Sequence, residues 1–335
     1  MTPARIAVIG CGNVSRMHFE TYSQHRDRVE IVAACDPIPT LRAEVARTYG
    51  VPETFASVDD LLAGAGSSFD IGIVCTPTPV RRAVVHQLVA ARKHIFVEKP
   101  FADSYDEAAA MVATGDEAGI RIGVNQNFRY HYPFDIARGL IAAGRVGPVV
   151  SILHQDLMLR RDKGWRTQTN RHAFSVMGVH WFDGLRWMLQ DEATEIRAQQ
   201  RSSPVVDSAG ETDISAIATF AGGTIATIFE SFSCPFKRTD TVIIGERGTI
   251  VLTYAGATLH DLDGHRAGQW ETPYAGPLKP GATLTNLELL VAAIVAGEDP
   301  VNSGRDNLRT IAMLDAAYRA AETDAVVSLR ELTAV

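Results

Sequence analysis

Along residues 1–123, short apolar, β-branched runs alternate with longer stretches of helical periodicity. The runs are Arg5–Ile9, Ile31–Cys35, Ile71–Cys75, His94–Val97 and Arg121–Val124; the helical stretches between them include Thr40–Tyr49, Val58–Ala63, Arg81–Arg92 and Ser104–Ala118. Apolar runs without strict alternation suit strands buried on both faces, and helical connections are what parallel strands require. The pattern predicts an α/β chain whose first domain, residues 1–123, is a doubly wound parallel sheet.

After residue 124 the pattern changes. A helical stretch, Pro133–Ala143, is followed by Gly144 and Gly147-Pro148, then by the strand-like run Val149–Leu153 and a cation-rich segment from Arg160 to His172. Ile214–Phe220, Thr224–Phe232, Thr241–Ile244 and Thr249–Thr253 read as successive strands, separated at Gly222-Gly223, Cys234-Pro235 and Gly245–Gly248. Alternation in Thr224–Phe232 predicts a mostly antiparallel sheet with one face on helices, the other face needing cover that a partner subunit would supply. Helices Leu284–Ala296 and Arg305–Glu322 follow, and residues 124–335 are taken as the second, α+β domain.

Composition narrows the class. With 46% hydrophobic and 21% charged residues the chain reads as globular, and a net charge of −7 argues against nucleic acid or an anionic membrane as a partner. No apolar run approaches the roughly 20 residues of a membrane span, and the N-terminal run leads straight into glycines, as a buried strand does. Cys11, Cys35, Cys75 and Cys234 lack metal or disulfide spacing, so they are expected to be reduced core thiols of a cytoplasmic protein. His154 and Asp156 alternate on a strand without a third ligand at metal spacing, so no metal is expected.

Candidate chemistry begins at Gly10-Cys11-Gly12-Asn13-Val14-Ser15, directly after the first strand and before a helical stretch. Gly10 permits the tight turn, Gly12 lets a pyrophosphate approach the backbone, and the helix start offers free N–H groups. Ser15 stands where Gly or Ala is usual, and is still small. Asp36 ends the second strand 24 positions after Gly12, near the ~20 expected of the acid that binds the adenosine ribose. Pro37 follows it, with Arg42 further on. These features point to NAD rather than NADP.

His94–Pro100, HIFVEKP, together with Cys75-Thr76-Pro77-Thr78 and Gly178-Val179-His180-Trp181-Phe182-Asp183, resembles the Gfo/Idh/MocA oxidoreductases along essentially the whole chain. The resemblance implies a Rossmann domain that binds NAD, followed by a substrate-binding and oligomerisation domain with a large open sheet, assembled as a homodimer or homotetramer. It implies that Lys99 lies beside the nicotinamide as acid/base, that Glu98 contacts the nicotinamide-side ribose, and that Thr76 and Pro77, after Cys75, line the cofactor groove. His180 would contact the same substrate hydroxyl as Lys99. The substrate would be a small polyhydroxylated molecule (a sugar, cyclitol or sugar acid). Family members often carry Asp four residues before the catalytic His; here that position is Val176. Asp183, three residues after His180, either orients the imidazole or serves as a surface or capping acid.

Further substrate contacts are expected from Asn125 and Asp183, and from Trp165 and Arg166, a pair that resembles one in the same region of many relatives. Asn127 and Arg129, like Asn125, follow the last strand of the parallel sheet, where the chain crosses the mouth of the site, and serve there either the site or the structure. Arg166 or Arg171 would hold an anionic substrate group, the alternative being a solvated loop. Two other functions compete with the dehydrogenase: an NAD-dependent glycoside-cleaving enzyme with transient oxidation, and a non-catalytic NAD sensor. Lys99 and His180 argue against the sensor.

If Asp36 meets the ribose hydroxyls, it repels a 2′-phosphate. NAD should then bind at least about tenfold more tightly than NADP, since such a contact costs on the order of a kcal/mol or more. Equal affinities by calorimetry would refute this.

Overall fold

In the computed structural model, which describes residues 2–273 and 278–332, the first part of the chain forms β1 (Ala4–Ile9), α1 (Asn13–Ser23), β2 (Val29–Cys35), α2 (Pro39–Tyr49), β3 (Glu53–Phe55), α3 (Val58–Ala65), β4 (Ile71–Val74), α4 (Thr78–Ala90), β5 (His94–Val97), α5 (Tyr105–Glu117) and β6 (Ile122–Val124). The six strands are all parallel, in the order β3-β2-β1-β4-β5-β6. Ile6, Ala7 and Val8 of β1 are fully buried, as are Ile95, Phe96 and Val97 of β5. Cover on both faces is why these strands read as unbroken apolar runs. Chain direction around the sheet reverses between β1 and β4, so a crevice opens outside the carboxyl ends of those strands. β3 was not anticipated; its three residues, one exposed and two half-buried, carry little pattern.

The remaining elements are α6 (Tyr132–Ala142), β7 (Val149–Leu159), a π-helical turn (Phe174–Gly178) running into α7 (Val179–Leu189), β8 (Ala193–Arg201), β9 (Asp213–Phe220), β10 (Ile225–Ser231), β11 (Ser233–Gly245), β12 (Gly248–Thr253), β13 (Gly256–His260), β14 (Arg266–Glu271), α8 (Lys279–Ala296), α9 (Gly304–Thr323), β15 (Val327–Ser328) and α10 (Leu329–Leu332). Nine strands make a second sheet, β14-β13-β12-β11-β7-β10-β9-β8-β15. Among the described strands β10 and β7 form its one parallel pair, so the sheet is mostly antiparallel as expected.

Cys234-Pro235, read as a break between strands, lies inside β11. The pairing of β11 with β7 shifts register between Ser233 and Arg238. The proline therefore sits in a bulge, where its missing N–H costs no ladder bond. β8, β13 and β14 also went unread. β8 is largely polar and buries only Ile196 and Ala198, so its alternation is faint.

The described chain forms two compact units, Met1–Asn127 with Pro277–Leu308, and Phe128–Gly276 with Arg309–Val335. The first unit is thus discontinuous in sequence. Its core draws in α8, whose Leu284, Leu287 and Leu290 share one cluster with Ile6, Phe19 and Ile73. In the second unit, Ile152, Ile214, Ala216, Ile228 and Ile250 lie on the buried sheet face. The opposite face carries a cross-strand row, Val251–Val242–Leu153–Thr227–Ile217, in which Leu153 is 52% and Ile217 45% exposed. No helix among the described residues is long and apolar enough to cross a membrane.

Candidate active site

The turn after β1 is built for glycine. Gly10 has φ +95°, and a Cβ there would sit 2.9 Å from the Cys75 carbonyl carbon, so no L side chain fits without strain. A Cβ on Gly12 would meet nothing within 4 Å, leaving the backbone open to a ligand. Ser57 caps α3 by accepting the Asp60 N–H, and Ser104 caps α5 by accepting the Glu107 N–H. Among the described residues no side chain caps α1, and its first turn has no acid. Asn13 is exposed and Val14 packs toward the core. The open N–H groups and the positive helix end suit a pyrophosphate. Ser15 is fully buried, its hydroxyl donating to the Gly12 carbonyl at 2.7 Å, so the departure from Gly or Ala is absorbed inside the helix.

Asp36 follows β2 and is buried. Its Oδ2 accepts the Cys11 N–H and its Oδ1 the Ile38 N–H, each at 2.8 Å. The carboxylate is thereby latched to the glycine turn. Arg42 donates to the Asp36 carbonyl at 2.5 Å. Cys75, Thr76 and Pro77 follow β4, with Pro77 at the start of α4. Burial pushes the Cys11 and Cys35 thiols up to about 12.

Glu98 follows β5 and is 4% exposed. Its Oε1 accepts from His18 Nε2 and from Asn125 Nδ2, both at 2.7 Å, and its Oε2 accepts the Lys99 N–H at 3.2 Å. Burial alone would raise its pKa; the hydrogen bonds and charges of His18, Lys99 and Asn125 hold it down to about 2. Burial likewise opposes charge on His18, yet Cys75, Tyr22 and Glu98 raise the imidazole well above its ordinary range. Lys99 is half-buried. Arg81, unnoticed in the sequence, is 3% exposed and donates to the carbonyls of Thr76 (2.6 Å), Glu98 (2.8 Å), Pro100 and Phe101 (3.5 Å). It ties the turn after β4 to the one after β5. Burial lowers its pKa to about 10.

In the second unit His180 is buried on α7, its ring lying flat on Phe128 with centroids 3.9 Å apart at 10°. Asp183 is fully buried, so it is not a surface acid. Its oxygens accept from Arg129 Nε (2.7 Å) and Nη2 (2.5 Å) and from Thr310 Oγ1 (3.0 Å). The carboxylate also lies 3.8 Å from Arg186 Nη1, and it anchors Arg129. Val176 lies in the π-helical turn that leads into α7. Glu211, also missed, holds that turn: it accepts the His172 N–H (2.7 Å), the Phe174 N–H (3.0 Å) and the Tyr318 hydroxyl (2.8 Å).

Three residues of the cation-rich segment form ion pairs within their own unit. Arg160 and His172 both meet Asp162 (2.8 and 3.2 Å), and Arg171 meets Asp315 (2.7 Å), so Arg171 is committed to the fold. Trp165 and Arg166 share a 3₁₀ turn, the guanidinium 5.0 Å from the indole centroid.

A polar cluster lies on the buried sheet face. Glu230 and Asp156 are register partners on β10 and β7, both fully buried, and burial raises the pKa of each. His154 stacks on Trp181 (3.6 Å) with Nε2 3.7 Å from Glu230 Oε1. Among the described residues neither Glu230 oxygen has a hydrogen-bond partner. Alternation along β10, which puts Glu230 on the face of Ala226 and Ile228, was the available signal. Asp261, Asp263 and His265 come within metal-ligand spacing of one another but are exposed. Asp261 accepts the N–H groups of Asp263 and His265, which accounts for the grouping as a hairpin turn.

Residues 4–126 match the Gfo/Idh/MocA oxidoreductase family with an NAD-binding Rossmann fold, and residues 134–251 match the Gfo/Idh/MocA C-terminal domain. A D-apiose dehydrogenase of Paraburkholderia graminis is 26% identical over 98% of this chain and 90% of its own length. An inositol 2-dehydrogenase of Rhizobium meliloti is 25% identical over 97% and 99%. The crystal structure of an oxidoreductase from Agrobacterium radiobacter in complex with NAD+, L-tartaric acid and magnesium superposes with a TM-score of 0.87 at 23% identity, covering 99% of this chain and all of that one. The two share the fold.

Because Asp183 neutralises a buried Arg129, Asp183→Asn should cost roughly 3–5 kcal/mol, the usual loss when one partner of a buried ion pair is removed. Chemical denaturation checks this; an unchanged midpoint would mean that the pair is dispensable.

Proposed function

Since the chain belongs to the Gfo/Idh/MocA oxidoreductase family, we propose that it transfers a hydride between NAD and a hydroxyl carbon of a sugar, cyclitol or sugar acid. The observation that carries this is the meeting of Gly10–Gly12, Asp36, Thr76-Pro77 and Glu98-Lys99 at the carboxyl ends of β1, β2, β4 and β5, in the 3-2-1-4-5-6 strand order. The open start of α1 holds the pyrophosphate and Asp36 the adenosine ribose, which favours NAD over NADP. Glu98 holds the nicotinamide-side ribose. Bound NAD supplies the hydride acceptor or donor.

Oxidising an alcohol requires that its hydroxyl proton leave as hydride departs, so a base must reach that oxygen. Lys99 is assigned this proton, and His180 a hydrogen bond to the substrate oxygen. Asn125, Trp165 and Arg166 remain proposed substrate contacts; the Asp183 carboxylate contributes by anchoring Arg129. Relatives named for apiose and inositol support a polyhydroxylated substrate. Free thiols at Cys11, Cys35, Cys75 and Cys234 support a reducing, cytoplasmic setting.

A screen of aldoses, inositols and aldonates at alkaline pH, followed by NADH absorbance, should give steady turnover on a polyhydroxylated substrate. Lys99→Met should then lower kcat by roughly 10²–10⁴-fold with NAD affinity nearly unchanged. A Lys99→Met enzyme retaining most of its kcat would move the chemistry elsewhere. NAD binding without any turnover would favour a sensor, and release of a sugar from a glycoside without net NADH a glycoside-cleaving enzyme.

The exposed apolar row around Leu153 and Ile217 supports a homodimer or homotetramer formed through the second sheet. Light scattering should report a multiple of the 36.3 kDa chain mass and a smaller particle for Leu153→Lys. A monomeric wild type would rule this out.

A further inference from the structure

We propose that His18 is a positioning residue for the cofactor: it pins Glu98 at the nicotinamide-side ribose and couples that end of the dinucleotide to the pyrophosphate-binding start of α1. This rests on the NAD reading of the groove and adds to it a residue whose side chain lies outside the turn.

The argument starts from the cost of burying a carboxylate. At 4% exposure Glu98 must either be fully hydrogen-bonded or take up a proton. Three donors meet it, and two of them sit on backbone that the sheet already fixes: Asn125 after β6 and the Lys99 N–H. The third, His18 Nε2 at 2.7 Å, comes from α1. His18 is itself immobilised. It is fully buried, its Nδ1 lies 3.0 Å from the Tyr22 hydroxyl one turn on, and its ring stands edge-on to Phe96 at 6.1 Å.

His18 lies five residues after Asn13, the first residue of α1. One short helix therefore carries the open N–H groups at its start and the Glu98 latch further along the same rigid rod. A shift of α1 that accommodates the phosphates also moves the donor on Glu98, and with it the carboxylate that accepts the Lys99 N–H. His18 touches neither substrate nor cofactor in this scheme; it acts through Glu98.

The test separates the two ends of the dinucleotide. ADP presents the adenosine and phosphates but lacks the nicotinamide-side ribose, whereas NAD has both. In the full-length protein, His18→Leu should bind ADP within about twofold of wild type. It should bind NAD roughly tenfold or more weakly, the loss expected when a buried charge-assisted hydrogen bond goes. The emission of bound NADH should move toward that of free NADH. His18→Gln, whose amide keeps an N–H donor toward Glu98, should recover most of the NAD affinity.

A folded His18→Leu with wild-type NAD affinity overturns the proposal, and so does an equal loss of ADP and NAD, which marks general damage to α1. Should His18→Leu fail to fold, His18→Asn, with an amide too short to reach Glu98, is read by the same two criteria. Failure of the wild type to bind NAD overturns the cofactor reading itself, which a normal wild type with an unaffected variant does not.

Discussion

A carboxylate buried at the end of a parallel strand is the constraint on which the first unit depends. Glu98 leaves β5 where the sheet meets the cofactor groove, and at that depth an unpaired charge is costly. Its compensation comes from three directions: from α1 through His18, from the turn after β6 through Asn125, and from the next peptide through Lys99. Arg81 then binds the carbonyl of the same residue and that of Thr76. The turns after β4, β5 and β6 and the helix after β1 are thus mutually located by polar contacts that water does not compete for.

This arrangement divides labour among acids. Asp36 is spent on backbone N–H groups, which stiffen the glycine turn. Glu98 is spent on His18, Asn125 and the Lys99 N–H. Glu98 is not placed as a proton acceptor in catalysis, because a carboxylate that accepts three hydrogen bonds and whose pKa is held at about 2 is a poor base near neutrality.

The second unit uses the same device for a different end. Glu211, arriving from the strand-side loop, accepts two N–H groups at the turn that begins α7, and Asp183 within α7 anchors Arg129. These contacts set the helix that carries His180 without any carboxylate at position 176. The buried pair Asp156 and Glu230 is different in kind. It has open hydrogen-bonding capacity where a packed sheet face would ordinarily have none.

Local periodicity and turn chemistry were enough to determine five of the six parallel strands, the glycine turn and five of the nine strands of the second sheet, since each is written within a window of about ten residues, whereas Asp36 was legible only through its spacing from Gly12. The limits of that window explain the rest. The sequence could not assign α8 to the first core, nor separate polar edge strands such as β8 from loop, because burial there is decided by neighbours hundreds of residues away or by the sheet's edge. It left Asp183 between two roles and could not show its ion pair with Arg129, which lies 54 positions upstream. His18, Arg81 and Glu211 carry no motif: a histidine in an amphipathic helix, an arginine near a helix start and an acid in a loop are ordinary surface residues until tertiary packing removes water from them. What a residue type can do was legible from the sequence; which groups lose water together, and so must satisfy one another, was decided only when the strands and helices packed.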